Sequence, residues 1–247
     1  FTVDENFLLL QIGRLLLRKV ISDVMAIPYS DVKLGRTEKG KPVLENQVTD
    51  PRLKSFSFNI SHQGDFTVLA AEQCRQVGID VMKTVYPSGT DVPGFFQLMR
   101  KQFTPAEWLT VKSEKTEWEQ LEMFYRHWCL KESYVKAVGV GIGHDLQAIE
   151  FNLQTQKLSK QMITCDSALC LNGQKVDNWT FEETKLDDLH QVAVAVGPIT
   201  SETISRFEKT EFQILTFSEL ISNAVSIRHI SEDEWETFGL KRETRVR

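Results

Sequence analysis

The longest periodic pattern in the chain lies between residues 116 and 138 and predicts an amphipathic α-helix. Apolar side chains recur at three- and four-residue steps along one stripe, from Trp118 through Trp128 to Val135. Glu132 falls on that stripe, where a carboxylate is expensive to bury unless it is paired or binds a metal ion. Lys136 follows one turn later, so a solvated ion pair of about 0.3–0.5 kcal/mol is the plain alternative.

Alternating apolar and polar residues predict three strands, at 56–61, 66–72 and 76–82. His62 comes at the end of the first strand, where scaffolds commonly present functional groups, although a lone histidine there is more often structural. On the third strand, Gly78, Asp80 and Met82 share one side, opposite Val77. Gly78 allows a ligand or another backbone segment to approach closely beside Asp80.

The remaining segments complete an α+β pattern. We expect helices at 3–27, 94–101, 105–113 and 218–224, a short strand near 42–44, and strands near 149–153, 168–172, 178–183, 192–196 and 211–216. A turn at Asn172-Gly173 is expected to join the strands at 168–172 and 178–183. Gly139, Gly141 and Gly143 are expected to end the long helix. Helix then strands, followed by helices then strands, predicts a mainly antiparallel sheet in each half.

Composition narrows the class of protein. The 247 residues are 41% hydrophobic and 26% charged, as in an ordinary soluble globular protein. Four cysteines without Cys-x-x-Cys spacing argue against a zinc site or a disulfide framework, and a reducing cytosolic setting fits best. The leucine-rich stretch 7–17 is interrupted by Arg14 and is shorter than the ~20 residues of a membrane span. Because the chain starts at Phe1, close to a helix, we expect an N-terminal truncation.

Charge is distributed unevenly along the chain. The net charge of −5 argues against nucleic acid as the main partner. Residues 14–41, however, carry seven Lys or Arg and three acidic residues, a net charge of +4. A solvated surface is one explanation, and a polyanionic small ligand is the other. Gly40, within the cluster from Arg36 to Lys41, suits a backbone that approaches a phosphate.

Four short motifs, taken together, resemble one family. They are Arg36-Thr-Glu-Lys-Gly40-Lys41-Pro42, Asn59-Ile-Ser-His62, Val77-Gly-Ile-Asp80, and Trp128-x-x-Lys131-Glu132-Ser133-x-x-Lys136. Each is moderately specific, but in this order and spacing they strongly resemble the longer, two-lobed 4′-phosphopantetheinyl transferases, above all the animal members. The resemblance covers roughly residues 1 to 200.

The resemblance implies an architecture and a reaction. The fold would be two similar α+β lobes related by a pseudo-twofold, with the active site in the cleft between them. Residues 1–75 would form the first lobe, 76–199 the second lobe with the metal site, and 200–247 a C-terminal extension. The enzyme would use Mg²⁺ to transfer phosphopantetheine from coenzyme A to a serine of an apo acyl carrier protein domain, releasing adenosine 3′,5′-bisphosphate. It would be a cytosolic monomer with no membrane or nucleic-acid partner.

The resemblance also implies roles for individual residues. Asp80 and Glu132 match the metal ligands of the family. Glu132, Lys136 and His62 are the expected catalytic residues, with Lys136 stabilising developing negative charge and Glu132 a candidate base for the serine proton. The residues expected to bind coenzyme A are Arg36, Thr37, Glu38, Lys39, Gly40, Lys41, Asn59, Ile60, Ser61, His62, Glu132, Ser133, Tyr134, Val135 and Lys136.

Two departures from the family pattern affect these expectations. Many bacterial relatives carry Glu two residues after the Asp, about 6.6 Å along the strand on the same side, where this chain has Met82. Methionine is a poor ligand for Mg²⁺, so we expect a water molecule in its place and a change in metal affinity more than in activity. The short N-terminus is expected to lack a basic residue that contacts coenzyme A.

The carrier substrates and two alternatives stay open at this stage. The animal resemblance implies carrier domains of fatty acid synthase and of aminoadipate reductase type, which links the chain to lysine metabolism. One alternative is a catalytically weak module that binds coenzyme A or carrier proteins. Another is a nucleotide-dependent methyltransferase or kinase built on Gly139, Gly141 and Gly143, but these glycines follow a helix, and a phosphate-binding glycine loop should follow a strand.

Overall fold

The computed structural model describes residues 5–38, 40–140, 145–160, 162–200, 211–226 and 231. The helices are α1 (Glu5–Met25), α2 (Val92–Leu98), α3 (Pro105–Ser113), α4 (Glu117–Val138) and α5 (Phe217–Leu220). The strands are β1 (Leu34–Arg36), β2 (Pro42–Leu44), β3 (Ser57–Gln63), β4 (Phe66–Glu72), β5 (Gln76–Lys83), β6 (Ile149–Asn152), β7 (Ala168–Leu171), β8 (Gln174–Val176), β9 (Thr180–Lys185) and β10 (His190–Gly197). Within those ranges, no helix is long and apolar enough to cross a membrane.

The first part of the chain, residues 5–75, is built from one helix and two hairpins. Helix α1 packs on the antiparallel pair β3–β4. Leu17 and Ile21 of the helix meet Phe58 of β3 in one buried cluster. The second hairpin, β1–β2, carries the predicted basic loop at its tip. The predicted strand at 42–44 is confirmed, whereas its partner β1 lies in a segment that the sequence predicts as loop.

The second part centres on the antiparallel sheet β5-β10-β9 and on helix α4, which packs across β5 and β10. Gly78 on β5 makes this packing close, because a Cβ there would overlap the backbone of Ser133 and Ala137 in α4. The sequence predicts either a ligand or a backbone segment beside Gly78, and the structure places the backbone of α4 there. A second small sheet, β6-β7-β8, and helices α2 and α3 cover the other sides of α4.

Local signals explain the boundaries of α3 and α4. Thr104 and Thr116 each begin a helix with a capping box, in which the threonine hydroxyl and a glutamate three residues later satisfy the first backbone N–H groups. Gly139 ends α4 in the left-handed conformation at φ 72°. The predicted bounds 105–113 and 116–138 are therefore confirmed to within one residue. Gly141 and Gly143 lie outside the described residues.

The structure corrects three predictions of local structure. The turn at Asn172-Gly173 joins β7 to the three-residue strand β8, and not to β9, which pairs with β10 in the other sheet. Residues 211–216 form no strand, and the helix after them is the single turn Phe217–Leu220. Alternation of apolar and polar residues over such short runs indicates only which face of a strand is exposed. It does not identify the strand that pairs with it. The α+β class and the antiparallel pairing within each sheet are confirmed.

The stripe of α4 that carries Glu132 also differs from the prediction. Leu121, Tyr125 and Val135 are buried, but Trp128, Glu132 and Lys136 keep partial exposure. The other sides of the helix, including Leu130 and Ala137, are enclosed by the two sheets and by α2 and α3. Because α4 is covered nearly all round, it has no single apolar stripe. Its partly exposed residues lie on the side that faces the first part of the chain.

Candidate active site where the two parts of the chain meet

Asp80 lies at the junction of the two parts and is 5% exposed. Its Oδ1 atom accepts hydrogen bonds from the Lys136 ammonium of α4 at 2.6 Å and from the Ser61 hydroxyl of β3 at 2.8 Å. Lys136 also donates to the Ser61 hydroxyl at 2.9 Å, which closes a three-membered network. The structure therefore brings together three side chains from β3, β5 and α4 that the sequence motifs single out separately.

The second carboxylate oxygen of Asp80 is in a different situation. Oδ2 is buried, and no group in the described part of the chain hydrogen-bonds to it. Burial raises the pKa of Asp80, while Lys136, the Ser61 hydroxyl and the backbone N–H of Val81 oppose that rise. A buried carboxylate oxygen without a protein donor is costly unless a cation or water satisfies it.

Glu132 is electrostatically coupled to this network. Burial raises its pKa first, the negative charge of Asp80 raises it further, and Lys136 lowers it. Two carboxylates that repel each other beside a single ammonium form a site that favours an added cation. Proteins typically bind Mg²⁺ through one or two carboxylates, so Asp80 Oδ2 and Glu132 fit the predicted metal ion. Among the described residues, no group of three or more His, Cys, Asp or Glu side chains is arranged to hold a metal ion, so the remaining ligands would be substrate oxygens and water.

The basic loop between β1 and β2 reaches toward the same end of α4. Lys41 Nζ donates to the backbone carbonyl of Lys136 at 3.2 Å, and burial lowers the pKa of Lys41. Arg36 Nη1 donates to the carbonyl of Gly40 at 2.8 Å, and the Thr37 hydroxyl accepts from the N–H of Lys41. The loop is thus a closed turn that presents exposed Arg36 and Thr37 together with half-buried Lys41.

Two further residues of this loop were predicted to bind coenzyme A. Glu38 is exposed at the turn. Gly40 has φ 81°, and in the described structure nothing lies within 4 Å of the place its Cβ would take. This conformation leaves the backbone accessible from that side. Lys39 lies outside the described residues.

Strand β3 divides the motif Asn59-Ile-Ser-His62 between two faces. Asn59 and Ser61 are buried against β5, whereas Ile60 points to the α1 side, where it packs on the buried cluster of α1 and β3. His62 is exposed near the end of the strand. Ser61 therefore reaches Asp80, while His62 presents its ring to solvent one residue further along. The role of His62 toward a phosphate stays a prediction.

Ser133, Tyr134 and Val135 lie in the interior of the second part of the chain. The Ser133 hydroxyl donates to the carbonyl of Leu130 at 2.8 Å. Tyr134 packs edge-on against Trp179, and Val135 belongs to the same buried cluster. Their contacts support the packing of α4, and their predicted part in binding coenzyme A stays a prediction.

Met82 shares its side of β5 with Asp80, as predicted, but it is used for packing. Its side chain contacts both hydrophobic clusters that flank α4. An apolar side chain at this position fills space under the helix and contributes no metal ligand. The expectation that water completes the coordination stays a prediction.

Two buried ion pairs near the site were not found from the sequence. Lys131 Nζ lies 2.6 Å from Glu107 Oε2, with both side chains at most 1% exposed, and it also donates to the carbonyls of Gln102 and Leu146. Arg126 Nε lies 2.8 Å from Glu183 Oε2, at 3% and 1% exposure. The capping signal Thr104-Pro-x-Glu107 was visible in the sequence, but nothing in the spacing connects Glu107 with Lys131. These pairs fix α4 to its neighbours.

Comparison with known proteins agrees with the geometry. Residues 1–74 match the family described as 4′-phosphopantetheinyl transferase, N-terminal, and residues 76–196 match the 4′-phosphopantetheinyl transferase superfamily. The chain is 43% identical to the human L-aminoadipate-semialdehyde dehydrogenase-phosphopantetheinyl transferase over 243 residues, which is 95% of this chain and 78% of the relative.

More distant relatives carry related names. A phosphopantetheinyl transferase from Thraustochytrium is 38% identical over 79% of this chain and 65% of its own length. A 4′-phosphopantetheinyl transferase from Bacillus subtilis is 28% identical over 58% of this chain and 57% of its own length. With both parts of the chain matched and the motif residues Ser61, Asp80 and Lys136 in contact, the chain belongs to the 4′-phosphopantetheinyl transferase superfamily.

Proposed function

We propose that this chain transfers the 4′-phosphopantetheine group of coenzyme A to a serine hydroxyl of an apo carrier protein domain, with Mg²⁺ and with release of adenosine 3′,5′-bisphosphate. The observation that carries the proposal is the Ser61–Asp80–Lys136 network beside Glu132, at the junction of the two parts of the chain. Such a transfer requires charge neutralisation on a pyrophosphate and in-line positioning of the nucleophile. A carboxylate pair next to an ammonium supplies the first requirement.

Asp80 Oδ2 and Glu132 would hold the metal ion. When bound, Mg²⁺ would neutralise charge on the pyrophosphate of coenzyme A. Lys136, whose ammonium lies 2.6 Å from Asp80 Oδ1, would stabilise negative charge that develops beside the metal ion. Glu132 would also be a candidate base for the proton of the carrier serine, directly or through water.

The hairpin loop would bind the remaining phosphates. Arg36 is exposed at the tip, and Gly40 leaves its backbone accessible. Lys41 is half-buried at the end of α4, so its charge lies between the loop and the metal site. Arginine and lysine close to an open glycine backbone suit the 3′-phosphate and pyrophosphate of coenzyme A.

The carrier substrates are proposed from the relatives. The human relative is named for its action on L-aminoadipate-semialdehyde dehydrogenase. We therefore propose a carrier domain of the aminoadipate reductase type as a substrate, which links the chain to lysine metabolism. The carrier domain of fatty acid synthase is a second proposed substrate, which rests on the family resemblance of the sequence motifs.

The test is a transfer assay that is read by mass spectrometry. The chain is incubated with apo carrier domain, coenzyme A and Mg²⁺, and the carrier should gain one phosphopantetheine on its serine. Glu132→Gln keeps the side-chain shape and removes the charge, so we expect transfer to fall by at least about 100-fold. Glu117→Gln, an identical change at an exposed position at the start of the same helix, is the matched control and should transfer normally.

Two results would contradict the proposal. No mass gain with any carrier domain of a panel, while coenzyme A still binds, would favour a binding module instead of an enzyme. Near-normal transfer by Glu132→Gln at saturating Mg²⁺ would show that Glu132 is neither a metal ligand nor the base.

A further inference from the structure

Strand β3 lies along the free edge of β5 and bonds to it through side chains. The backbone N–H of Val77 donates to Ser57 Oγ at 3.3 Å, that of Ile79 donates to Asn59 Oδ1 at 3.0 Å, and that of Lys83 donates to Gln63 Oε1. Each pair is separated by 20 residues, so the two strands run in the same direction at a constant offset. These side chains satisfy the edge of the sheet, where backbone donors would otherwise lack partners.

Ser61 stands on this same face of β3, between Asn59 and Gln63, but its hydroxyl is used differently. Its neighbours accept from the backbone of β5, whereas Ser61 donates to the carboxylate of Asp80 at 2.8 Å. It also accepts from Lys136 at 2.9 Å. Because the bonds on either side fix the register of β3 on β5, the Ser61 hydroxyl has a fixed position relative to Asp80.

The two bonds to Oδ1 decide which oxygen of Asp80 is available. Lys136 and Ser61 both bond to Oδ1, while Oδ2 is buried with no hydrogen-bond partner in the described residues. We propose that Ser61 is a positioning residue for the metal: its hydroxyl, with Lys136, holds Oδ1 so that Asp80 presents Oδ2 alone to the cation. The inference rests on the proposed function for the identity of the cation.

Loss of the hydroxyl should release the carboxylate. Without Ser61, only the flexible Lys136 side chain holds Oδ1, and the ammonium is free to move between the two oxygens and compete with a metal ion at Oδ2. Residues that orient a metal ligand through a hydrogen bond typically change metal affinity by about 10- to 100-fold when they are removed. Ser61 comes from the first part of the chain, so metal affinity would depend on how that part docks on the second.

The test measures metal binding by the whole chain without coenzyme A. Mn²⁺, which shares the preference of Mg²⁺ for oxygen ligands, is titrated and the free ion is followed by electron paramagnetic resonance. We expect Ser61→Ala to weaken Mn²⁺ binding by about 10-fold. Ser61→Thr keeps the hydroxyl and should stay within about 3-fold of the unaltered chain. Ser57→Ala is the matched control, because it removes a hydroxyl from the same strand face that bonds to β5 without touching Asp80.

The outcomes separate a positioning role from a merely structural one. Equal Mn²⁺ affinity for Ser61→Ala and Ser57→Ala overturns the proposal, even if both variants melt at a lower temperature. Mn²⁺ binding that is absent, or that Asp80→Asn leaves unchanged, also overturns it. Failure of the transfer assay together with the expected Mn²⁺ affinities would reject the proposed function and leave the role of Ser61 standing.

Discussion

Removing the charge of Lys131 should destabilise this protein severely, although Lys131 neither touches the candidate metal ligands nor reaches solvent. Its ammonium is 1% exposed and lies 2.6 Å from Glu107 Oε2. It also donates to the carbonyl of Gln102 at 3.0 Å and to that of Leu146 at 2.7 Å, and it lies over the ring of Phe103. Lys131→Met has a similar length, but it leaves a buried carboxylate without its cation and removes one donor from each of the carbonyls of Gln102 and Leu146.

The expected loss of folding stability follows from these lost contacts. Removing one partner of a buried ion pair costs about 3–5 kcal/mol, compared with a total stability of about 5–15 kcal/mol for a folded domain. For a chain of this size, each kcal/mol lowers the melting temperature by about 2–4 °C, so a fall of roughly 10 °C is expected. Urea unfolding, followed by tryptophan fluorescence and circular dichroism, measures the change in free energy of unfolding.

Two control variants make the experiment decisive. In Lys131→Met with Glu107→Gln, the single amide oxygen can accept from only one of the backbone N–H groups of Thr104 and Phe151, which bond to the two separate oxygens of Glu107 in the unaltered chain. Because no charge is then buried, we still expect the double variant to recover part of the loss. Lys157→Met breaks an exposed pair with Glu119 and should cost less than about 1 kcal/mol. A cost below about 1 kcal/mol for Lys131→Met, or a double variant no more stable than the single one, would show that the buried Lys131–Glu107 pair does not stabilise the fold in this way.

Two further predictions concern the packing and the charge of the site. Gly78→Ala would push a Cβ into the backbone of Ser133 and Ala137, so we expect a loss of about 1–3 kcal/mol in urea unfolding, and a loss below about 0.5 kcal/mol would contradict the close packing of α4 on β5. The raised pKa of Glu132 means that its contribution to stability is present below its unfolded pKa and is lost as pH rises through its folded pKa. Without divalent cations, Glu132→Gln should therefore be more stable than the unaltered chain at pH 7, and the difference should vanish toward pH 4. A less stable variant at pH 7 would contradict the raised pKa of Glu132, which burial and the charge of Asp80 cause together.

Much of the local structure was predictable because its causes are local. Threonine caps, a left-handed glycine and three- to four-residue periodicity set the ends of α3 and α4 within the chain segment itself. The hairpin of β3 and β4 also has a local cause, because Gly64 adopts the left-handed conformation at φ 57° in its turn. The missed partner of β7 shows the limit, since a strand of three residues carries too short a pattern to identify its neighbour.

The candidate site, too, was only partly predictable from the sequence. Ser61, Asp80, Glu132 and Lys136 could be singled out by residue type, order and spacing. Their functions within the network could not be predicted, because hydrogen bonds between β3, β5 and α4 depend on how distant segments of the chain pack together. Lys131 is adjacent to Glu132 in the same motif, yet its ammonium points into the interior while Glu132 keeps contact with solvent. Successive residues on a helix face directions about 100° apart, so one motif supplies both a structural anchor and a site residue.

The α+β class, the family and the chemical groups of the site could be predicted from the sequence, since these depend on residue type and near-neighbour spacing. Only the folded chain reveals that Asp80 Oδ1 is held by Ser61 and Lys136 while Oδ2 is buried without a hydrogen-bond partner among the described residues. It also reveals that α4 is buried nearly all round. The physical reason is that burial and hydrogen-bond direction are set by segments far apart in the chain, whose contacts leave no periodic trace in either segment.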